Sequence, residues 1–261
     1  MKLFRSRPVF WAVVLSLGAV GGALRLGTFG PAMDEKGLIL YTHPLVLGLL
    51  ICTLIALALS LMLAGKSGGS NQFKDNFQPS RLAAVGHYIL AVGIFSTALL
   101  EQAKVGGWLG MVWQVLGLAA PIYLGLAGYA RYLGRPACLF THMALCLYFV
   151  FHVVNQYRTW SADPQLTDYL FALMASISLI LFAYYQTAFD VDAGKRKPML
   201  FWGLMGIYLC LSNLTHTEEP LVYLTGAIWM ATNLCALEPV PQPESQQLQT
   251  PAPEDASHVS A

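Results

Sequence analysis

The stretch LVLGLLICTLIALALSLMLA, residues 45–64, decides the fold. It carries no charged side chain, and its most polar members are Cys52, Thr53 and Ser60. As a helix rising about 1.5 Å per residue it spans about 30 Å, the thickness of a bilayer's hydrocarbon core. A helix on the surface of a water-soluble domain needs a polar face, and this one has none. A barrel strand would alternate apolar and polar residues over about ten positions, and this run does not. The reading that fits is a helix that satisfies its own backbone hydrogen bonds inside lipid.

The same character recurs outward from this stretch. Spans are read near 8–27, 38–64, 82–103, 107–130, 136–157, 166–188, 198–215 and 220–237. Of the 261 residues 56% are hydrophobic and 11% charged, against about 25% charged in an ordinary soluble domain. The expectation is an all-α polytopic membrane bundle of about eight transmembrane helices, with the lipid bilayer as its first partner. The net charge of +1 and the lack of a dense basic cluster give no surface for nucleic acid.

Orientation follows from Lys and Arg. With the N-terminus inside, Lys2, Arg5, Arg7, Lys66, Lys74, Arg81, Arg131, Arg135, Lys195, Arg196 and Lys197 are cytoplasmic, and Arg25, Lys36, Lys104 and Arg158 are external. Short cytoplasmic loops carry this excess, so the expected topology is N-in and C-in, in a bacterial inner (plasma) membrane. Lys2, Arg5 and Arg7 before an apolar run resemble a signal-peptide start. The run continues to Leu24, and the first span is read as retained.

Two segments stand apart. Residues 65–80 hold Gly-Lys-Ser-Gly-Gly-Ser and then Asn71, Gln72, Lys74 and Asp75, a composition that predicts a flexible connection. Residues 238–261 alternate Pro with Gln, Glu and Ser, which predicts a disordered cytoplasmic tail and a place for a protein partner. The five cysteines, Cys52, Cys138, Cys146, Cys210 and Cys235, all fall within the expected spans without a Cys-x-x-Cys pair, and read as free thiols. Gly18 and Gly22 have the spacing that lets membrane helices approach closely, and Gly117, Gly125, Gly128, Gly203 and Gly206 mark further contact faces.

After the first span come Arg25, the run Asp34-Glu35-Lys36-Gly37-Leu38, and then Tyr41-Thr42-His43-Pro44. An Arg followed by Asp-x-x-Gly-Leu resembles a little-characterised group of polytopic bacterial membrane proteins. That resemblance implies a multi-pass membrane protein and no particular activity. From the residues themselves, Arg25 with Asp34 or Glu35 reads as an interfacial ion pair.

Histidines and the outer polar residues are the remaining candidates. His43 and His152 are expected near the outer surface, and His87 and His142 near the inner one. Ionisable groups at membrane depth mark functional sites. Three readings stay open. The leading one is a non-enzymatic protein with no catalytic residues that binds or passes a small solute through an outward-opening polar cavity, using Arg25, His43, Glu101, His152, Asn155 and His216. The second is a redox or metal-binding protein holding haem or a divalent metal between His43 and His152 or between His87 and His142. The third is a membrane assembly or scaffold partner. Glu218 and Glu219 read as caps for the last helix. On the span near 136–157, His142, Cys146, Phe149, His152 and Gln156 share an arc of about 120°, which predicts a face turned into the bundle.

Overall fold

The computed structural model describes residues 7–29, 31–34, 39–40, 42–100, 107–160, 169–215 and 219–237. Its elements are the helices α1 (Arg7–Thr28), α2 (Pro44–Gly65), α3 (Phe73–Asn76), α4 (Arg81–Leu100), α5 (Gly107–Tyr132), α6 (Leu139–Trp160), α7 (Leu170–Asp190), α8 (Arg196–Asn213) and α9 (Pro220–Cys235). Apart from α3, each helix coincides with an apolar stretch of the sequence. The tail 238–261 lies outside the described residues.

Six of these helices, α1, α2, α4, α5, α6 and α7, are long and apolar enough to cross a membrane. α8 and α9 are 18 and 16 residues long, about 27 and 24 Å at helical rise. α9 is as apolar as the spanning helices but shorter, whereas α8 is less apolar, and its packing explains why. α4, α5, α6, α7, α8 and α9 form a closed ring in which each helix packs on the next and α9 returns to α4, while α1 and α2 pack on the outside of α8. α8 is thus wrapped by α1, α2, α7 and α9, and it buries Tyr208, Ser212 and Asn213 among protein neighbours. A helix shielded from lipid tolerates such residues. α2, on the periphery, exposes Leu47, Leu50, Ile51, Leu54, Ile55, Leu61 and Met62, a surface that suits hydrocarbon and not water.

Close approach at small residues fixes α1 on α8. A Cβ at Gly22 would stand 3.2 Å from the backbone carbonyl oxygen of Leu211, and one at Gly18 would meet the Leu211 side chain. Gly125 breaks the expected pattern, since nothing lies within 4 Å of its Cβ position. No close approach calls for a glycine there.

Three further corrections concern the starts of α2 and α6 and the segment 65–80. The second span begins at Pro44 and not near residue 38: Pro occupies the first helical turn and His43 is the extended N-cap, because a residue before proline avoids helical backbone. Cys138 precedes α6 and is exposed, so it is not within a span, although all five thiols are free.

The third concerns residues 65–80, which are not a loose tether. Phe73 and Phe77 are buried, stack at 5.2 Å, and Phe77 meets Phe189 edge-on at 5.4 Å. Asp192 Oδ1 accepts the Phe73 backbone N–H at 2.8 Å, and Asn76 Nδ2 donates to the carbonyls of Ser70 and Gln72. The polar composition conceals two aromatic anchors that seat α3 against the ends of α5 and α7.

Candidate functional site

The bundle interior holds two polar centres. The first lies where α4, α5, α6 and α7 meet. His87 sits in the second turn of α4 and His142 in the first turn of α6. Their Nε2 atoms are 3.3 Å apart. His87 Nδ1 faces the Ala83 carbonyl oxygen at 2.8 Å, and His142 Nδ1 faces Asp190 Oδ2 at 2.8 Å. Asp190, the last residue of α7, also accepts the Ala137 N–H at 3.1 Å. Arg131, in the last turn of α5, stands 3.4 Å from Asp190 Oδ1 and donates to Gln186 Oε1. Its guanidinium lies over Phe73 and Phe77, 4.5 and 4.3 Å from the ring centroids. All five polar side chains, His87, Arg131, His142, Gln186 and Asp190, are buried. Each α5, α6 and α7 contribution comes from a helix end, so the ring closes a charged network at one level, and α3 covers it.

The second centre surrounds His152. Its ring is buried among Trp113 of α5, Tyr148 and Phe149 of α6 and Tyr223 of α9, with centroid distances of 5.8, 6.0, 6.4 and 6.5 Å. Glu219 Oε2 stands 3.3 Å from His152 Nδ1. Glu219 occupies the N-cap of α9 but its side chain makes no capping bond. It turns to the histidine instead, which corrects the capping expectation. Tyr223 Oη lies 3.1 Å from Ser176 Oγ and 3.4 Å from Gln156 Oε1. Trp113 Nε1 and Tyr148 Oη interact loosely, and among the described residues neither these atoms nor His152 Nε2 makes a well-formed hydrogen bond.

The other candidates are dispersed. Arg25 is 2% exposed and donates to Asn213 Oδ1 at 2.6 Å, with Phe171 4.9 Å beneath it. It fastens α1 to α8 as a buried group, not one that water reaches. His43 accepts the Leu45 N–H at 3.3 Å and caps its own helix. α2 packs on α1 and α8, whereas His152 faces α5 and α9, so the fold does not form the expected His43–His152 pair. Asn155 is half-buried one turn beyond His152, and Glu101 and His216 lie outside the described residues.

The structure does bring His87 and His142 together, in a geometry that bears on cofactors. At about 2.0–2.1 Å per metal–imidazole bond, two axial ligands of one haem iron stand about 4 Å apart. The 3.3 Å separation is too short for that arrangement. Among the described residues no group of three or more His, Cys, Asp or Glu side chains is placed to hold a metal ion. A groove of about 430 Å³ between α4 and α9 is lined by Val85, Tyr88, Val92, Leu221 and Thr225 among others. Its wall is apolar and it is not the polar outward-opening cavity expected.

Trp113, Arg131, Tyr148, Gln186, Asp190 and Tyr223 escape the sequence reading. Arg131 counts there as a loop charge and Asp190 falls between two spans. Only the ring closure joins them. No family model, no curated protein and no solved structure matches the chain.

Proposed function

We propose that the protein is an eight-span membrane protein of the bacterial inner membrane, N-in and C-in, that binds a small polar solute at the His152 centre. One observation carries the reading: Trp113 Nε1, Tyr148 Oη and His152 Nε2 are buried together, none with a well-formed hydrogen bond among the described residues, beside the carboxylate of Glu219. An unsatisfied buried polar group costs about 1–3 kcal/mol. Three around one ring support a site served by a bound molecule. The Trp N–H is a donor only and the carboxylate an acceptor, so a solute with both an acceptor and an amine complements the set. The aromatic faces favour a cationic amine. The centre is enclosed, which implies that the surrounding helices part to admit the solute.

Burial of α8 and α9 inside the bundle supports the count of eight spans, and the uneven distribution of Lys and Arg supports the topology. The resemblance around Arg25 and Asp34 belongs to this proposal and supports the membrane setting alone. Haem or metal chemistry and a scaffold role through 238–261 have no comparable support.

The test is thermal unfolding of the purified protein against a panel of amines, amino acids, sugars and inorganic ions. A ligand at about 100 times its Kd contributes about 2.7 kcal/mol, about 5–10 °C for a chain of this size. The shift is expected in wild type and lost in Trp113→Phe and His152→Ala. A panel without a stabilising member, or a shift that survives both substitutions, refutes the reading.

A further inference from the structure

We propose that His87, His142 and Asp190 form a proton-binding site, with the proton held on His142. The inference concerns the first polar centre and stands independently of solute binding at His152.

Hydrogen-bond accounting carries it. A backbone carbonyl only accepts, so the 2.8 Å contact between His87 Nδ1 and the Ala83 oxygen requires a proton on His87 Nδ1. An ionised carboxylate also only accepts. Asp190 takes bonds from the Ala137 N–H and lies against Arg131, and its 2.8 Å contact with His142 Nδ1 requires a proton on that nitrogen. Two neutral imidazoles have then used their only protons. Yet their Nε2 atoms face each other at 3.3 Å, and two bare nitrogens there would set lone pair against lone pair. One more proton resolves the contact. His142 is the place for it, because the Asp190 carboxylate adjoins its ring while His87 turns a bare Nε2 to accept.

The surroundings agree. From α4 the facing group is His87, from α5 Arg131, and from α7 Asp190, with Gln186 Oε1 taken by Arg131. From α9 the neighbour is the uncharged ring of Trp229, 5.9 Å from His87. Arg131 is further accommodated by the faces of Phe73 and Phe77. The centre thus comprises two cations, one carboxylate and a neutral histidine. The proton comes from water, and a buried ionisable chain between helices is the usual form of a membrane proton site. A metal bridging the two Nε2 atoms would fit 3.3 Å in tetrahedral geometry, but no third ligand stands among the described residues.

Asp190→Asn provides a decisive contrast. The Asn amide donates to His142 Nδ1, His142 donates from Nε2 to His87, and His87 still donates to Ala83. Every contact is then made by two neutral histidines. The centre retains one net positive charge in either chain, so the variant is expected to fold. The experiment is ¹⁵N magnetic resonance of histidine-labelled full-length protein in lipid nanodiscs at pH 7–8, where histidines of an unfolded chain are neutral. Wild type is expected to show His142 protonated on both ring nitrogens, and Asp190→Asn on one. A neutral His142 in wild type overturns the proposal, whether Asp190 is ionised or protonated. So does one equivalent of metal by elemental analysis, or a His142 protonated on both ring nitrogens in Asp190→Asn.

Discussion

Removing the Asp190 carboxylate leaves its partners stranded, and the cost follows from the contacts. In Asp190→Ala the Ala137 N–H and His142 Nδ1 lose acceptors at 3.1 and 2.8 Å, and Arg131 loses the anion 3.4 Å away. Arg131 is 2% exposed and keeps only Gln186 and the two phenylalanine faces. Breaking a buried ion pair by removing one member costs about 3–5 kcal/mol, most of it the penalty of the charge left behind. Arg131→Met/Asp190→Ala removes that charge and lays a thioether over Phe73 and Phe77, a contact of about 0.3–1.5 kcal/mol. The double variant is therefore expected to recover about 2 kcal/mol or more of the single-variant loss. Equilibrium unfolding of wild type, both singles and the double closes the cycle. If Asp190→Ala costs less than about 1 kcal/mol, or the double is no more stable than the single, Arg131 is not a buried charge held by Asp190.

Other outcomes follow from single contacts. Gly22→Ala drives a methyl to 3.2 Å from the Leu211 carbonyl and is expected to cost about 1–3 kcal/mol in unfolding experiments. Gly125→Ala, with nothing within 4 Å, is expected to gain about 0.5–1 kcal/mol. Phe73→Ala removes a buried ring and half of the Arg131 platform. It is expected to cost about 3–5 kcal/mol and to speed proteolysis within 65–80, whereas unchanged cleavage would mean that α3 is not a cover. With the other four cysteines replaced, exposed Cys138 should react with an impermeant maleimide in inverted vesicles and resist it in right-side-out ones. The opposite pattern would reverse the topology.

What was legible in the sequence was contact with lipid. α2 is unmistakable because its exposed face is apolar throughout and the face buried on α1 and α8 carries no charge either. α8 is less apolar because protein surrounds it. The shared arc on α6 was readable from helical spacing: His142, Phe149 and His152 are all buried. Pairings were not readable. His43 left the interior because Pro44 fixed where α2 begins, a local rule that outweighed the count of apolar residues. Arg131 and Asp190 resemble ordinary loop charges until ring closure sets them 3.4 Å apart. Phe73 and Phe77 lie among Gly, Ser and Asn, and composition alone averages them away.

Solute binding inside the bundle is most directly tested by a cryo-electron microscopy structure of the protein in nanodiscs with its most stabilising solute. The account predicts non-protein density within hydrogen-bonding distance of Trp113 Nε1, Tyr148 Oη and His152 Nε2, beside Glu219. A solute bound elsewhere, or these three atoms satisfied by protein groups alone, would contradict it.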